Sequence, residues 1–224
     1  MAQIDHKLQK WNRWMKEIHD DIQALVIAEK IFQSMWTVIK TNPKIQKQKT
    51  FCWYLESTYA SYAFMGVRRQ VKEDKKKNSI SFARLLREIA DNAAKISRQF
   101  YKDLRKGLSS EKWADKEFDR FCKNPGDSHI SPHMVEADLV KLKATGKSCG
   151  DFADRVLAHC DPRGPTAIPE IKEADRAIET LHKLYLKYHQ MLHAQAILNL
   201  HPIYQYYWQE IFDYPWRLPA EKSE

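Results

Sequence analysis

Residues 153–161 read "ADRVLAHCD", with Arg155 and His159 four positions apart. On a helix that spacing puts both side chains on one face. A guanidinium can grip two phosphate oxygens through its planar fork, and an imidazole can take up or release a proton near neutral pH. Together they could hold a phosphate and move a proton. The same two residues also fit a plainer role, a helix-end histidine favoured by the dipole with an arginine on the rim. Asp151 and Asp154 lie close enough in sequence to orient the pair as supporting carboxylates.

Other spacings carry less. "ATGKSCG" holds the Gly-Lys-Ser of a phosphate-binding loop, but Lys141 stands where that motif needs its first glycine, and a helical pattern precedes it where a strand is required. His189 and His193 in "HQMLH", with His182 two turns earlier, have one-face metal spacing, as do His129 and His133 in "HISPH". Gln190 stands where a zinc-protease motif carries Glu, so both pairs are read as surface or satisfied core histidines, and no metal or other cofactor is expected. The four cysteines (52, 122, 149, 160) form no close pair, which argues for free thiols rather than a zinc ribbon or disulfide framework.

The positive charge is unevenly placed. Of a net charge of +8, the stretch 68–106 holds thirteen Lys/Arg against five Asp/Glu, and the remainder is balanced. Such a concentration favours a polyanionic partner, with nucleic acid first and an acidic protein surface second. A charged run such as "KEDKKKN" is equally consistent with a solvated loop. The candidate phosphate-contacting residues are Arg68, Arg69, Lys72, Lys75, Lys76, Lys77, Arg84 and Arg87.

The elements that must position these residues all read as helices. Leu8, Trp11, Met15, Ile18, Ile22 and Leu25 recur at three- and four-residue steps in a first helix over about 6–41. Pro43 stops it. An aromatic-rich helix spans about 46–72, with Ser57, Ala60, Ser61 and Ala63 small enough for a close neighbour. Asn78 or Ser79 is placed to cap the next helix, and Gly107 to end the one after it. Ser131-Pro132 opens a helix that Gly146 is expected to close, leaving a short separate helix over about 148–159. A last helix from near Pro169 carries Ile171, Ala174, Ile178, Leu181, Tyr185, Tyr188 and Leu192 as a bundle seam. The expectation is an all-α bundle over 1–200, with 107–146 as an insertion and an aromatic tail, 201–224, packed on the core or at a subunit interface. No uninterrupted apolar run spans a bilayer and the N-terminus lacks a signal arrangement, so a cytoplasmic protein without membrane attachment is expected.

Three parts of this pattern resemble the HEPN superfamily of helical nucleotide-binding bundles, within it the AbiU-like branch linked to abortive phage infection. They are "GVRRQVKEDKKKNSISFARLLREI", with Arg68, Arg69, Asp74, Ser79, Ser81, Leu85 and Leu86; "FADRVLAHCD"; and the closing helix "PEIKEADRAIETLHKLYLKYHQML". The resemblance runs over about residues 10–198. It implies a homodimer in prokaryotic defence or stress, with an antitoxin or other protein partner. The implied activity is that of a toxin, metal-independent RNA cleavage with Arg155 and His159 of both copies facing across a shared cleft. It equally admits a catalytically silent member that only binds a partner or nucleic acid. The chain departs from the family pattern in the short Arg155–His159 interval and in the apolar Val156 after the arginine. Arg176 and His182 offer a second match at the family's spacing, on the closing helix.

Overall fold

The computed structural model describes residues 6–73, 79–159, 161–164, 167–201 and 207–214. Among these, regular structure is helical, apart from one isolated β-bridge between Ser97 and His129. The helices are α1 (His6–Thr41), α2 (Pro43–Gln46), α3 (Lys49–Val71), α4 (Phe82–Asp91), α5 (Arg98–Arg105), α6 (Ala114–Phe118), α7 (Pro132–Phe152) and α8 (Ile171–His193).

The periodic apolar residues do what their spacing demands. Trp11, Met15, Ile18, Ile22 and Leu25 of α1 are buried, as are six of the seven seam residues of α8, Ile171 being half-buried. Helix α7 runs through the middle of the bundle, packing on α3, α4 and α8, while α1 closes the other side against α3 and α8. Caps fix several entries. Ser131 Oγ accepts from the Met134 N–H at 3.4 Å, and Pro132 occupies the first turn, where its missing N–H costs nothing. Glu170 and Glu173 form a reciprocal capping box at the start of α8. The cap of α4 is Ser81 rather than Asn78 or Ser79. Its hydroxyl accepts from Arg84 N–H at 3.2 Å and donates to Lys72 O at 2.5 Å, tying the helix start to the end of α3.

Gly146 does not end a helix. It lies inside α7, where a Cβ would sit 2.6 Å from Val71 Cγ1 and 3.0 Å from Val67 Cγ1. The glycine is there because α3 and α7 touch backbone to side chain at this point. The separate helix expected over 148–159 is therefore the end of α7, and the stretch expected as an insertion divides at Pro132. The part before it forms with α5 a cluster of rings, Tyr101, Phe118 and Phe121, continuous with the bundle core.

Beyond Val26, α1 has only Ile39 fully buried, and α3 has no buried residue before Tyr59. These two halves, joined by α2, leave the bundle as an antiparallel arm, pinned at its base by Phe32 stacked on Tyr59 with centroids 4.2 Å apart. The described end of the tail returns to this arm, where Phe212 and Tyr214 line a recess with Met35, Ile39, Phe51 and Leu55. By length and composition alone α1 could cross a membrane, although no apolar run in it is uninterrupted.

Candidate functional site

The end of α7 is not a regular helix. Residues Ala153–Leu157 form a π-helical turn, in which Ala158 N–H reaches back five residues to Ala153 O at 2.8 Å. Packing against α3 gives the reason. Phe152 meets Phe64 edge-on at 5.5 Å, and Leu157 packs on the same side. In an α-helix, residues five apart are turned about 140° from one another. Widening the turn brings both onto α3. Such single turns are enriched at functional positions, because they re-aim side chains at a helix end.

Arg155 is half-buried in this turn and His159 is exposed just after it. The chain then recurves, as Asp161 N–H donates to the carbonyls of Arg155 and His159, both at 3.0 Å. Asp161 is itself engaged by Arg163 through the backbone N–H, Nε and Nη2 at 3.0, 2.9 and 2.7 Å. Those bonds, with Arg155 adding positive charge, hold its carboxyl well below the usual range. The side chains of Arg155 and His159 make no hydrogen bond or ion pair with any described residue, each other included. They stand on one short turn, open to a ligand.

The carboxylates expected to orient them do something else. Asp154 is bridged by Arg68 and by Lys72, the latter at 2.9 and 3.0 Å. Burial alone would raise its carboxyl, but these two cations outweigh it and hold it below its ordinary value. Asp151 pairs with Lys147 at 2.5 Å. Neither hydrogen-bonds Arg155 or His159, because both point along the flanks of α7 rather than round the turn.

The basic stretch is also largely spoken for. Arg68 and Lys72 share Asp154, Arg69 reaches Asp21 at 3.4 Å, and Arg87 donates to Glu73 at 3.0 Å. Glu73 also takes Lys143; burial pushes its carboxyl up, yet its bonds to Lys143 and Arg87 prevail and keep it low. Arg84 donates to Ser79 O at 2.8 Å and lies over the Trp14 ring. Further along, Arg98, Lys102 and Arg105 are met by Asp119, Asp115 and Glu117. Lys75, Lys76 and Lys77 lie outside the described residues, as do Asp74 and Cys160. Several of the described cations are thus met by acids from elsewhere in the chain, Asp21, Asp115, Glu117, Asp119 and Asp154, a pairing no linear charge count reveals.

The histidine pairs are occupied by the fold. His189 and His193 stack with centroids 4.4 Å apart, and each donates from Nδ1 to a carbonyl at 3.1 Å, of Gln195 and His189 respectively. Burial pushes both below the ordinary imidazole value, with their mutual repulsion adding to it for His189. His182 accepts the Leu200 N–H at 3.0 Å, which removes it from any partnership with Arg176. His133 is exposed beside Glu136. Among the described residues no group of three or more His, Cys, Asp or Glu could hold a metal ion.

A feature that the sequence did not disclose adjoins the site. An open groove of about 580 Å³ runs between α3 and residues 168–172, floored by Ala60, Phe64, Phe152 and Leu157 and roofed by Ile168 and Pro169. Ser57, Ala60 and Ser61 of α3 face this groove, whereas Ala63 is fully buried in the core. The signal was present in the Ser57–Ala63 spacing, but nothing in it said that the facing element would stand off.

No family model, no curated protein and no solved structure matches the chain.

Proposed function

We propose that this all-α bundle acts on RNA as a homodimer in prokaryotic defence or stress, cleaving it without a metal at a cleft where Arg155 and His159 of two copies face each other. One observation carries the reading: a π-helical turn and the residues just after it present a guanidinium and an exposed imidazole four residues apart, neither hydrogen-bonded nor ion-paired among the described residues. Every other arginine expected to contact phosphate and described here already has a partner. In this reading Arg155 holds the scissile phosphate and stabilises its added charge, and His159 moves the proton. One imidazole cannot serve as base and acid in the same step, and a two-fold partner supplies the second. The groove beside the turn offers apolar walls for an unstacked base.

Purified protein incubated with mixed RNA in EDTA tests this, alongside His159→Ala and Arg155→Ala. Cleavage that falls about 10²–10⁴-fold in each variant supports it. Equal cleavage in all three preparations marks a contaminant and refutes it, as does a monomer by light scattering at the assay concentration.

A second reading is a non-catalytic interaction module, favoured by the neutralisation of Arg68, Arg69, Lys72 and Arg87. It expects intact RNA in the same assay, and a protein partner captured through the groove.

A further inference from the structure

Where the basic stretch is largely paired, the tip of the arm is not. Between Glu29 and Glu56 the sequence contains no acidic residue, and the turn from α1 into α3 carries Lys40, Lys44, Lys47 and Lys49. All four are exposed, and among the described residues none is in an ion pair. The turn is held compact from within: Asn42 caps α2 by accepting from Lys44 N–H at 3.0 Å, and Gln46 Nε2 donates to Lys40 O at 2.6 Å. Four lysines are therefore carried on one short, internally braced turn. Glu210 and Asp213 of the returning tail are the acids brought nearest in sequence to the recess there, and neither pairs with a tip lysine.

The first turn and a half of α3 adds aromatic side chains to the same surface. Phe51, Trp53 and Tyr54 are 41%, 65% and 59% exposed, and together with Lys47 and Lys49 they border one shallow depression. Large rings at that exposure are costly unless something covers them. Trp and Tyr beside lysines is the composition that sits at the boundary of a bilayer, rings at headgroup level and ammonium groups against anionic lipids. The cations are all lysine, with no arginine between 30 and 55. Lysine is a mobile point charge suited to a diffuse anionic surface, whereas arginine's fork favours discrete phosphate recognition.

We propose that the arm tip, through Lys40, Lys44, Lys47, Lys49 and the rings of Phe51, Trp53 and Tyr54, binds the surface of an anionic lipid bilayer. Attachment is peripheral, with the bundle and the Arg155–His159 turn left in water. This revises the sequence-based expectation of no membrane contact, and it stands or falls independently of RNA cleavage.

Co-sedimentation of the full chain with phosphatidylcholine vesicles, with and without about one-third phosphatidylglycerol, tests the proposal. Binding to the anionic vesicles alone is expected, weakening as salt rises. Replacing Lys40, Lys44, Lys47 and Lys49 together by Gln should weaken it by about fivefold per lysine, and Trp53→Ser with Tyr54→Ser should weaken it further. A control changing Lys106, Lys112, Lys116 and Lys123 to Gln removes the same charge elsewhere and should leave binding within a few-fold of the unchanged chain. All these side chains are on the surface, and unaltered melting of each variant checks that the fold survives. Equal losses in the two quadruple variants, or no binding to anionic vesicles, overturns the proposal. So does a tip variant that loses retention of single-stranded RNA while vesicles bind neither protein, which would assign the tip to nucleic acid.

Discussion

Two glycines one turn apart on α7 should respond to the same substitution with opposite sign. At Gly150 a Cβ would have Val71 Cγ2 at 3.9 Å, an ordinary van der Waals contact. Gly150→Ala then gains helix propensity, roughly 0.5–1 kcal/mol, at no steric cost. At Gly146 the same Cβ would lie 2.6 Å from Val71 Cγ1 and 3.0 Å from Val67 Cγ1. Carbon atoms prefer about 3.5–4.0 Å, so α3 and α7 must part or a valine must leave its preferred rotamer. Valine has little freedom in a helix, and overpacking of this kind costs about 1–3 kcal/mol. With the propensity gain set against it, Gly146→Ala should lose about 1–2 kcal/mol. For a chain of this size each kcal/mol moves the melting temperature by about 2–4 °C. The melting temperature followed by circular dichroism should rise by about 1–4 °C for Gly150→Ala and fall by about 2–8 °C for Gly146→Ala. If both variants shift in the same direction, the close approach of α3 and α7 at Gly146 is not what constrains that position.

The half-buried carboxyl of Glu29 is pushed up to about 7 by burial, with Asp175 and Glu179 adding to it. The folded chain therefore holds a proton that the unfolded chain releases near 4.5, so this site's stability is full below that value and lost as pH rises through 7. Glu29→Gln should match the native urea midpoint at acid pH and exceed it above pH 8. The gain, discounted for partial solvent screening, is about 1–2 kcal/mol, and a pH-independent difference would exclude this cause. Gln70, 2% exposed, donates to Asp21 at 2.8 Å and accepts the buried Phe82 N–H at 3.0 Å. Gln70→Ala should cost about 2–4 kcal/mol through two deserted partners, and a urea midpoint unchanged by it would contradict that. Lys72→Gln, which leaves Arg68 on Asp154, should change RNA retention little if that lysine is occupied by the fold. A large loss of retention would return it to the phosphate-contacting set.

The order of the long helices, and the extent of α1, α3 and α8, were legible because burial acts on periodicity alone. The α8 seam, the α1 stripe and the Ser131-Pro132 cap each express a local rule that tertiary structure had no reason to override. Arg155 and His159 are nominated by residue type and spacing alone, a local pattern that carries no information about what surrounds them. Three things could be decided only by chains meeting in space. Gly146 looks like a helix stop and is a contact point, since a missing Cβ serves both ends equally well in one dimension. The turn that presents Arg155 is π-helical because Phe152 and Leu157 must both reach α3. Which positive charge is left unpaired was also decided in space: carboxylates distant in sequence, Asp154, Asp21 and Asp119 among them, fold onto residues 68–106, and none among the described residues pairs with a lysine of the arm tip. Sequence records which charges exist; packing determines which are left facing water.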